Sequence, residues 1–137
     1  MLDSVKNRVP PSAEGEGLRV LLAEDNSINA LFMMTLLKKT GHRAVCVENG
    51  EEALKALENG EFDLVLMDIQ MPVMNGEEAF KAIRERENLS SVPVIALTAY
   101  AMQSEHQRFI DIGFDGYISK PVQVDKLIAE IDRVMKR

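Results

Sequence analysis

The sequence predicts an α/β fold in which a doubly wound sheet of five parallel strands, ordered 2-1-3-4-5, carries helices on both faces. Two observations lead there. From Leu18 onward, short apolar runs alternate five times with amphipathic stretches, the pattern left by strands and their crossover helices. The first, third and fourth runs are solidly apolar, as strands covered on both faces must be, whereas the second and fifth are shorter or more mixed and suit the sheet edges.

The predicted strands are Leu18–Ala23, Ala44–Val47, Leu64–Met67, Val94–Leu97 and Tyr117–Ile118. After the first, Ile28, Leu31, Phe32, Thr35 and Leu36 recur at helical spacing, Lys38 and Lys39 complement the negative helix end, and Gly41 stops it. Asn49 and Asn75 each stand three residues before a glutamate, Glu52 and Glu78, which marks the starts of the second and third helices; Asn59-Gly60 closes the second. A fourth helix runs from Gln103 to Ile112 and ends at Gly113, and the last carries Leu127, Ile128, Ile131, Val134 and Met135 on one face.

Residues 1–17 have no apolar periodicity and mix Pro, Ser, Gly and charges, so they read as a flexible linker or lead-in to one domain over 18–137. A chain of 137 residues, 46% of them hydrophobic, suits a single core, and no apolar run approaches the roughly 20 residues of a membrane-spanning helix. No secretory leader is expected from the polar start with its Pro10-Pro11. The formal charge is −6, and no stretch longer than two residues concentrates Lys and Arg, which argues against direct nucleic-acid binding. A single cysteine, Cys46, excludes an internal disulfide and a thiolate metal cage, and points to a reducing cytoplasm.

In an open parallel sheet, ligands bind at the carboxyl ends of the strands. There the sequence sets Glu24-Asp25 after the first strand, Asp68 after the third, Thr98 after the fourth and Ser119-Lys120-Pro121 after the fifth. Carboxylates crowded together repel, so they take up protons or hold a cation. Oxygen-only ligands favour magnesium, with manganese as a substitute, and a site that keeps metal-bound water leaves room for phosphate oxygens. Asp68, central to the cluster, is placed to attack phosphorus and form an acyl phosphate, its charge balanced by Lys120 and the metal.

The segments LLAEDNSIN (21–29), MDIQMPVMNG (67–76), IALTAYA (95–101) and GYISKP (116–121) resemble the receiver domain of two-component response regulators, in the family's order. The spacings are 43 residues from Asp25 to Asp68, 30 on to Thr98 and 22 on to Lys120. The first motif, with the Leu-Leu-Lys-Lys run and Gly41-His42 after it, is most similar to receivers of hybrid sensor histidine kinases. The resemblance implies a (βα)5 flavodoxin-like fold, Asp68 as phosphoacceptor, Asp25 as a direct metal ligand, Glu24 holding metal-bound water and the backbone carbonyl of Gln70 completing the coordination. It implies that Lys120 and Thr98 meet phosphoryl oxygens, that Tyr117 turns when Thr98 moves, reshaping the surface of helix four, strand five and helix five, and that Lys120-Pro121 is cis. Gln70 and Tyr100 then flank the path of hydrolytic water, and a bulky Tyr100 hinders it. The implied partners are a histidine kinase or a histidine phosphotransfer domain, with a phosphorylation-dependent dimer as a further expectation. The implied place is the cytoplasm, including the cytoplasmic part of a membrane-bound sensor kinase. With the chain ending directly after helix five, output is expected through a partner, and Ile28, Asn29 and Phe32 on helix one are the first residues expected to set its specificity.

Each residue alone has a plainer explanation: Asp25 as a helix cap, Glu24 as a solvated side chain, Asp68 as a turn former, Lys120 as a surface residue, Thr98 as a strand-end hydroxyl and Tyr117 as packing. Only the combination points to a phosphoacceptor pocket. The other function weighed is a non-phosphorylated interaction module of the same fold, which has no need to keep all five polar residues. A flavin binder or an aspartyl phosphatase fits less well, because the first loop is acidic and Asp68-Ile69-Gln70 lacks a second aspartate. His42 and His106 read as surface histidines away from the motifs, Cys46 as buried and inert, and the methionines as core filling.

Overall fold

The computed structural model describes residues 17–99 and 103–136, so the expected linker lies, except for Gly17, outside the described residues, as do Tyr100 and Met102. Each apolar run is a strand: Arg19–Ala23 (β1), Arg43–Val47 (β2), Leu64–Asp68 (β3), Val94–Thr98 (β4) and Gly116–Ser119 (β5). The helices are Ser27–Lys39 (α1), Gly50–Asn59 (α2), Gly76–Glu85 (α3), Gln103–Ile112 (α4) and Val124–Met135 (α5), with one 3-10 turn at Glu87–Leu89. All strand pairs are parallel and the order is β2-β1-β3-β4-β5, as the sequence predicts. β3 and β4 are buried along their whole length, while β2, on the edge, is at most half-buried.

Alternating residues of the strands feed two core layers. Leu21, Val65, Met67 and Ala96 pack with Leu54 and Leu57 of α2, Phe80 and Ile83 of α3, and Phe109 of α4. Val20, Leu22, Leu66 and Leu97 pack on the other face with Met33 and Leu37 of α1 and Leu127 and Ile131 of α5. Burying both faces of β1, β3 and β4 fixes their register, which sets the polar residues at the strand ends in one place.

The caps follow the asparagines. The Asn49 side chain accepts from the Glu52 N–H, and Asn75 and Glu78 form a reciprocal capping box. Gly41 and Gly113, after α1 and α4, have φ of +92° and +118°, where a side chain would be strained. Gly60 also ends its helix, but in an extended conformation.

Helix α1 lies where the sequence predicts it, but its apolar stripe does not face the core. Ile28 and Leu31 are 77% and 70% exposed and Phe32 49%, whereas the buried residues are Met33 and Leu37. The helix is apolar on both sides, so its periodicity reveals a helix without revealing which side the sheet covers. Ile128 of α5 likewise turns outward. Cys46 is half-buried on the edge strand rather than buried; burial first, and then the charges of Glu24 and Glu48, push its thiol pKa up, which favours the protonated thiol.

Candidate functional site

The carboxyl ends of β1, β3, β4 and β5 converge. Register pairing sets Ala23 beside Met67, Asp68 beside Leu97, and Thr98 beside Ser119. Glu24 and Asp68 are 2% and 4% exposed and Thr98 1%, while Asp25 is exposed. One carboxylate oxygen from each of Glu24, Asp25 and Asp68 lies within 4.8 Å of the others. The strand ends thus bring together all five polar residues singled out in the sequence.

Lys120 reaches into this cluster. Its Nζ donates to Asp68 Oδ2 at 2.9 Å and stands 3.0 Å from Glu24 Oε1. Its own N–H donates to the Thr98 carbonyl at 2.7 Å, tying the end of β5 to the end of β4, and the Lys120-Pro121 bond is cis. Burial favours the neutral amine, but the contacts with Asp68 and then Glu24 outweigh it and raise the Lys120 pKa above the ordinary lysine value. On the other side of the acid, Asp68 Oδ1 accepts the Gln70 N–H at 3.1 Å, which brings the Gln70 backbone beside the carboxylate. The start of α3 closes in from below: the Gly76 N–H donates to the Ile69 carbonyl at 3.0 Å, and a Cβ at Gly76 would collide with the Asp68 carbonyl oxygen.

Glu24 joins the cluster through both of its oxygens. Its Oε2 accepts the Asn26 N–H at 3.3 Å, while Oε1, fully buried, meets the Lys120 ammonium as an ion pair and has no well-angled hydrogen bond among the described residues. Burial, and then the nearby Asp68 carboxylate, push its pKa above the usual carboxylate range against the pull of Lys120. Three carboxylates against one ammonium, with no sulfur or imidazole ligand in the cluster among the described residues, fit a hard divalent cation that retains water. Outside the cluster lies a cavity of about 900 Å³ bounded by Asp25, Gln70 and Met71 and, on its far rim, Glu77, Glu105 and Arg108.

Residues 20–132 match the family model described as Response regulator receiver domain. The chain belongs to this family. The receiver is 42% identical over 127 residues to Sensor protein GacS of Pseudomonas syringae pv. syringae, spanning 90% of this chain but 14% of that protein. It is 38% identical over 112 residues to the Polar-differentiation response regulator DivK of Brucella anthropi, covering 82% of this chain and 91% of that one. The receiver domain of sensor histidine kinase PA1611 from Pseudomonas aeruginosa PAO1, solved with a magnesium ion coordinated in its active site cleft, aligns with a TM-score of 0.80 at 34% identity, over 88% of this chain and 99% of that one. The chain is therefore a receiver of two-component phosphorelay signalling, similar both to receivers within sensor kinases and to a protein hardly longer than a receiver.

Three features of the receiver go beyond the expectations drawn from its sequence. The α1 cap is Asn26, whose side chain accepts from the Ile28 and Asn29 N–H groups, so Asp25 is not the cap. Arg108 of α4 pairs bidentately with Glu77 of α3, both bonds 2.6 Å, across the rim of the cavity. And His106 is not remote from the motifs: its ring stacks on Tyr117, 3.9 Å between centroids, and Nε2 lies 3.3 Å from Ser119 Oγ. The Asx pattern at Asn26 was readable in the sequence; the two contacts across helices were not, because they depend on how α4 lies against its neighbours.

Proposed function

We propose that Asp68 takes a phosphoryl group from a phosphohistidine of a histidine kinase or a histidine phosphotransfer domain, in a magnesium-dependent reaction. The observation that carries this reading is the pairing of Asp68 Oδ2 with Lys120 Nζ inside a cluster where carboxylate oxygens of Glu24, Asp25 and Asp68 lie within 4.8 Å of one another. Asp68 is the phosphoacceptor: a carboxylate oxygen forms the P–O bond, the P–N bond to imidazole breaks with its electron pair returning to nitrogen, and an acyl phosphate results. The metal would be held by Asp25, Asp68 and the Gln70 carbonyl directly and by Glu24 through water, and when bound it neutralises charge on the transferring group. Manganese, with similar oxygen preference, substitutes for magnesium.

Lys120 then moves its ammonium to a phosphoryl oxygen, and Thr98 offers its hydroxyl to another. The movement of Thr98 lets Tyr117 turn, which alters the α4–β5–α5 surface read by a partner or a second copy of the chain. Moving such a switch from about 1:99 to 99:1 takes roughly 5.5 kcal/mol of differential binding, within reach of two or three charge-assisted contacts in a partly dry pocket.

The receiver unit is read as 18–137 and residues 1–17 as the linker joining it to a hybrid kinase, working on the cytoplasmic side of a membrane. The similarity to GacS and PA1611 supports this context. No helix among the described residues is long and apolar enough to cross a membrane. The donor protein meets the exposed Ile28 and Phe32 of α1, with Asn29 between them. The test is transfer of labelled phosphate from a purified phosphohistidine phosphotransfer domain: label reaches the native chain in magnesium and stops on chelation, and transfer independent of both magnesium and Asp68 would refute the reading.

A further inference from the structure

His106 stands on α4, half-exposed, and touches the two β5 residues that face it. Tyr117 and Ser119 are two apart on the strand and so share a face, while Ile118 between them points into the opposite core layer. The imidazole lies over the phenol ring at 3.9 Å and 26°, a stacked pair, and its Nε2 is 3.3 Å from Ser119 Oγ. The next residue is Lys120, bonded through its backbone to Thr98 and through its side chain to Asp68. One side chain therefore grips both the aromatic ring of the switch and the residue before the lysine of the site.

We infer that His106 is a positioning residue that holds Tyr117 in its resting orientation, so that the receiver switches only by giving up this stack. This rests on the proposed role of Tyr117 as the ring that turns when Asp68 is modified. A ligand shifts an equilibrium only by its differential affinity for the two states, so an interaction present in the resting state alone must oppose phosphoryl binding, and its removal must strengthen that binding. An aromatic pair with one polar contact corresponds to about three- to tenfold in affinity. The chain contains no tryptophan and two tyrosines, Tyr100 and Tyr117, so the ring can be followed by its own emission once Tyr100 is replaced.

The experiment uses the full chain in a Tyr100→Phe background, with saturating magnesium and the beryllium trifluoride anion as a phosphoryl mimic. Three proteins are titrated, carrying His106, His106→Phe or His106→Leu, and read by tyrosine emission. Each is also unfolded in urea, which confirms that binding is measured on folded protein. The Leu variant binds the mimic about three- to tenfold more tightly than the protein with His106. The Phe variant, which keeps a ring on the ring but loses the contact with Ser119, falls between them. In the protein with His106, emission changes on binding as the phenol leaves the imidazole, and in the Leu variant most of that change is present before the mimic is added. Equal affinity in all three proteins, or weaker binding in the Leu variant, overturns the role of His106 while leaving the site intact. Failure of the protein with His106 to bind the mimic at all, with magnesium present, overturns the reading of the site and the inference together.

Discussion

Lys120 Nζ sits 2.9 Å from Asp68 Oδ2 and 3.0 Å from Glu24 Oε1, so a single ammonium answers two buried carboxylates contributed by different strands. Lys120 is thus the counter-ion these two acids share, and a cation bound among them would compete with it.

Replacing that ammonium separates the two roles. Lys120→Met is expected to lower the rate of phosphoryl uptake from a small-molecule donor by roughly 100-fold, the scale on which a lost oxyanion partner acts. Magnesium binding in the same variant is expected to persist or tighten, because a competing charge has gone. Calorimetric titration with magnesium, alongside the rate of uptake, checks both.

Glu130 gives a pH dependence remote from the acidic cluster. Its Oε2 accepts the Tyr117 N–H at 3.0 Å and pairs with Arg133 at 2.8 Å. Burial works to raise its pKa, but the Arg133 bond and then the Tyr117 N–H outweigh it, and the carboxyl titrates below the ordinary value of 4.5. A depressed pKa contributes stability above the unfolded value that is lost as pH falls through the folded one. Glu130→Gln is expected to cost about 1 kcal/mol at pH 7, and its urea midpoint is expected to converge on that of the native protein in acid, below the folded-state pKa.

Gly76 starts α3 against the backbone of Asp68, and any Cβ there meets the Asp68 carbonyl and the Ile69 Cα. Gly76→Ala is expected to destabilise the fold by about 2–4 kcal/mol, as backbone collisions in a packed site do, and to lower phosphoryl uptake by displacing Asp68. Chemical denaturation and uptake measured on the folded fraction test the two effects separately.

Val73 is the opposite case. Its φ is +67°, and around it the Met74 N–H donates to the Pro72 carbonyl at 2.7 Å, a γ-turn of the strained, positive-φ hand. The β-branched side chain is 77% exposed and contributes little packing. Val73→Asn is expected to stabilise the chain by about 1 kcal/mol, read as a rise in the urea midpoint at constant slope.

The strands and the polar strand ends were legible in the sequence because they answer to local rules. The runs at β1, β3 and β4 are apolar throughout since both of their faces are covered, and the chemistry collects at their ends because parallel strands all point one way. The facing of α1 was not legible: Ile28, Leu31 and Phe32 make a better helical stripe than Met33 and Leu37, yet the latter pair is buried. Nor was the contact of His106 with Tyr117, which depends on the angle of α4 and on no spacing in the chain. Such contacts follow from how the helices lie on the sheet, whereas the strand-end residues follow from strand direction alone.

Whether Asp68 accepts phosphate in a magnesium-dependent reaction is read from intact mass after incubation with acetyl phosphate. With magnesium, the native chain is expected to gain one phosphoryl group that hydroxylamine removes; without magnesium, or as Asp68→Asn, it is expected to gain none. A native chain that binds magnesium yet gains no mass, or an Asp68→Asn chain that gains as much as the native one, would exclude Asp68 as the acceptor.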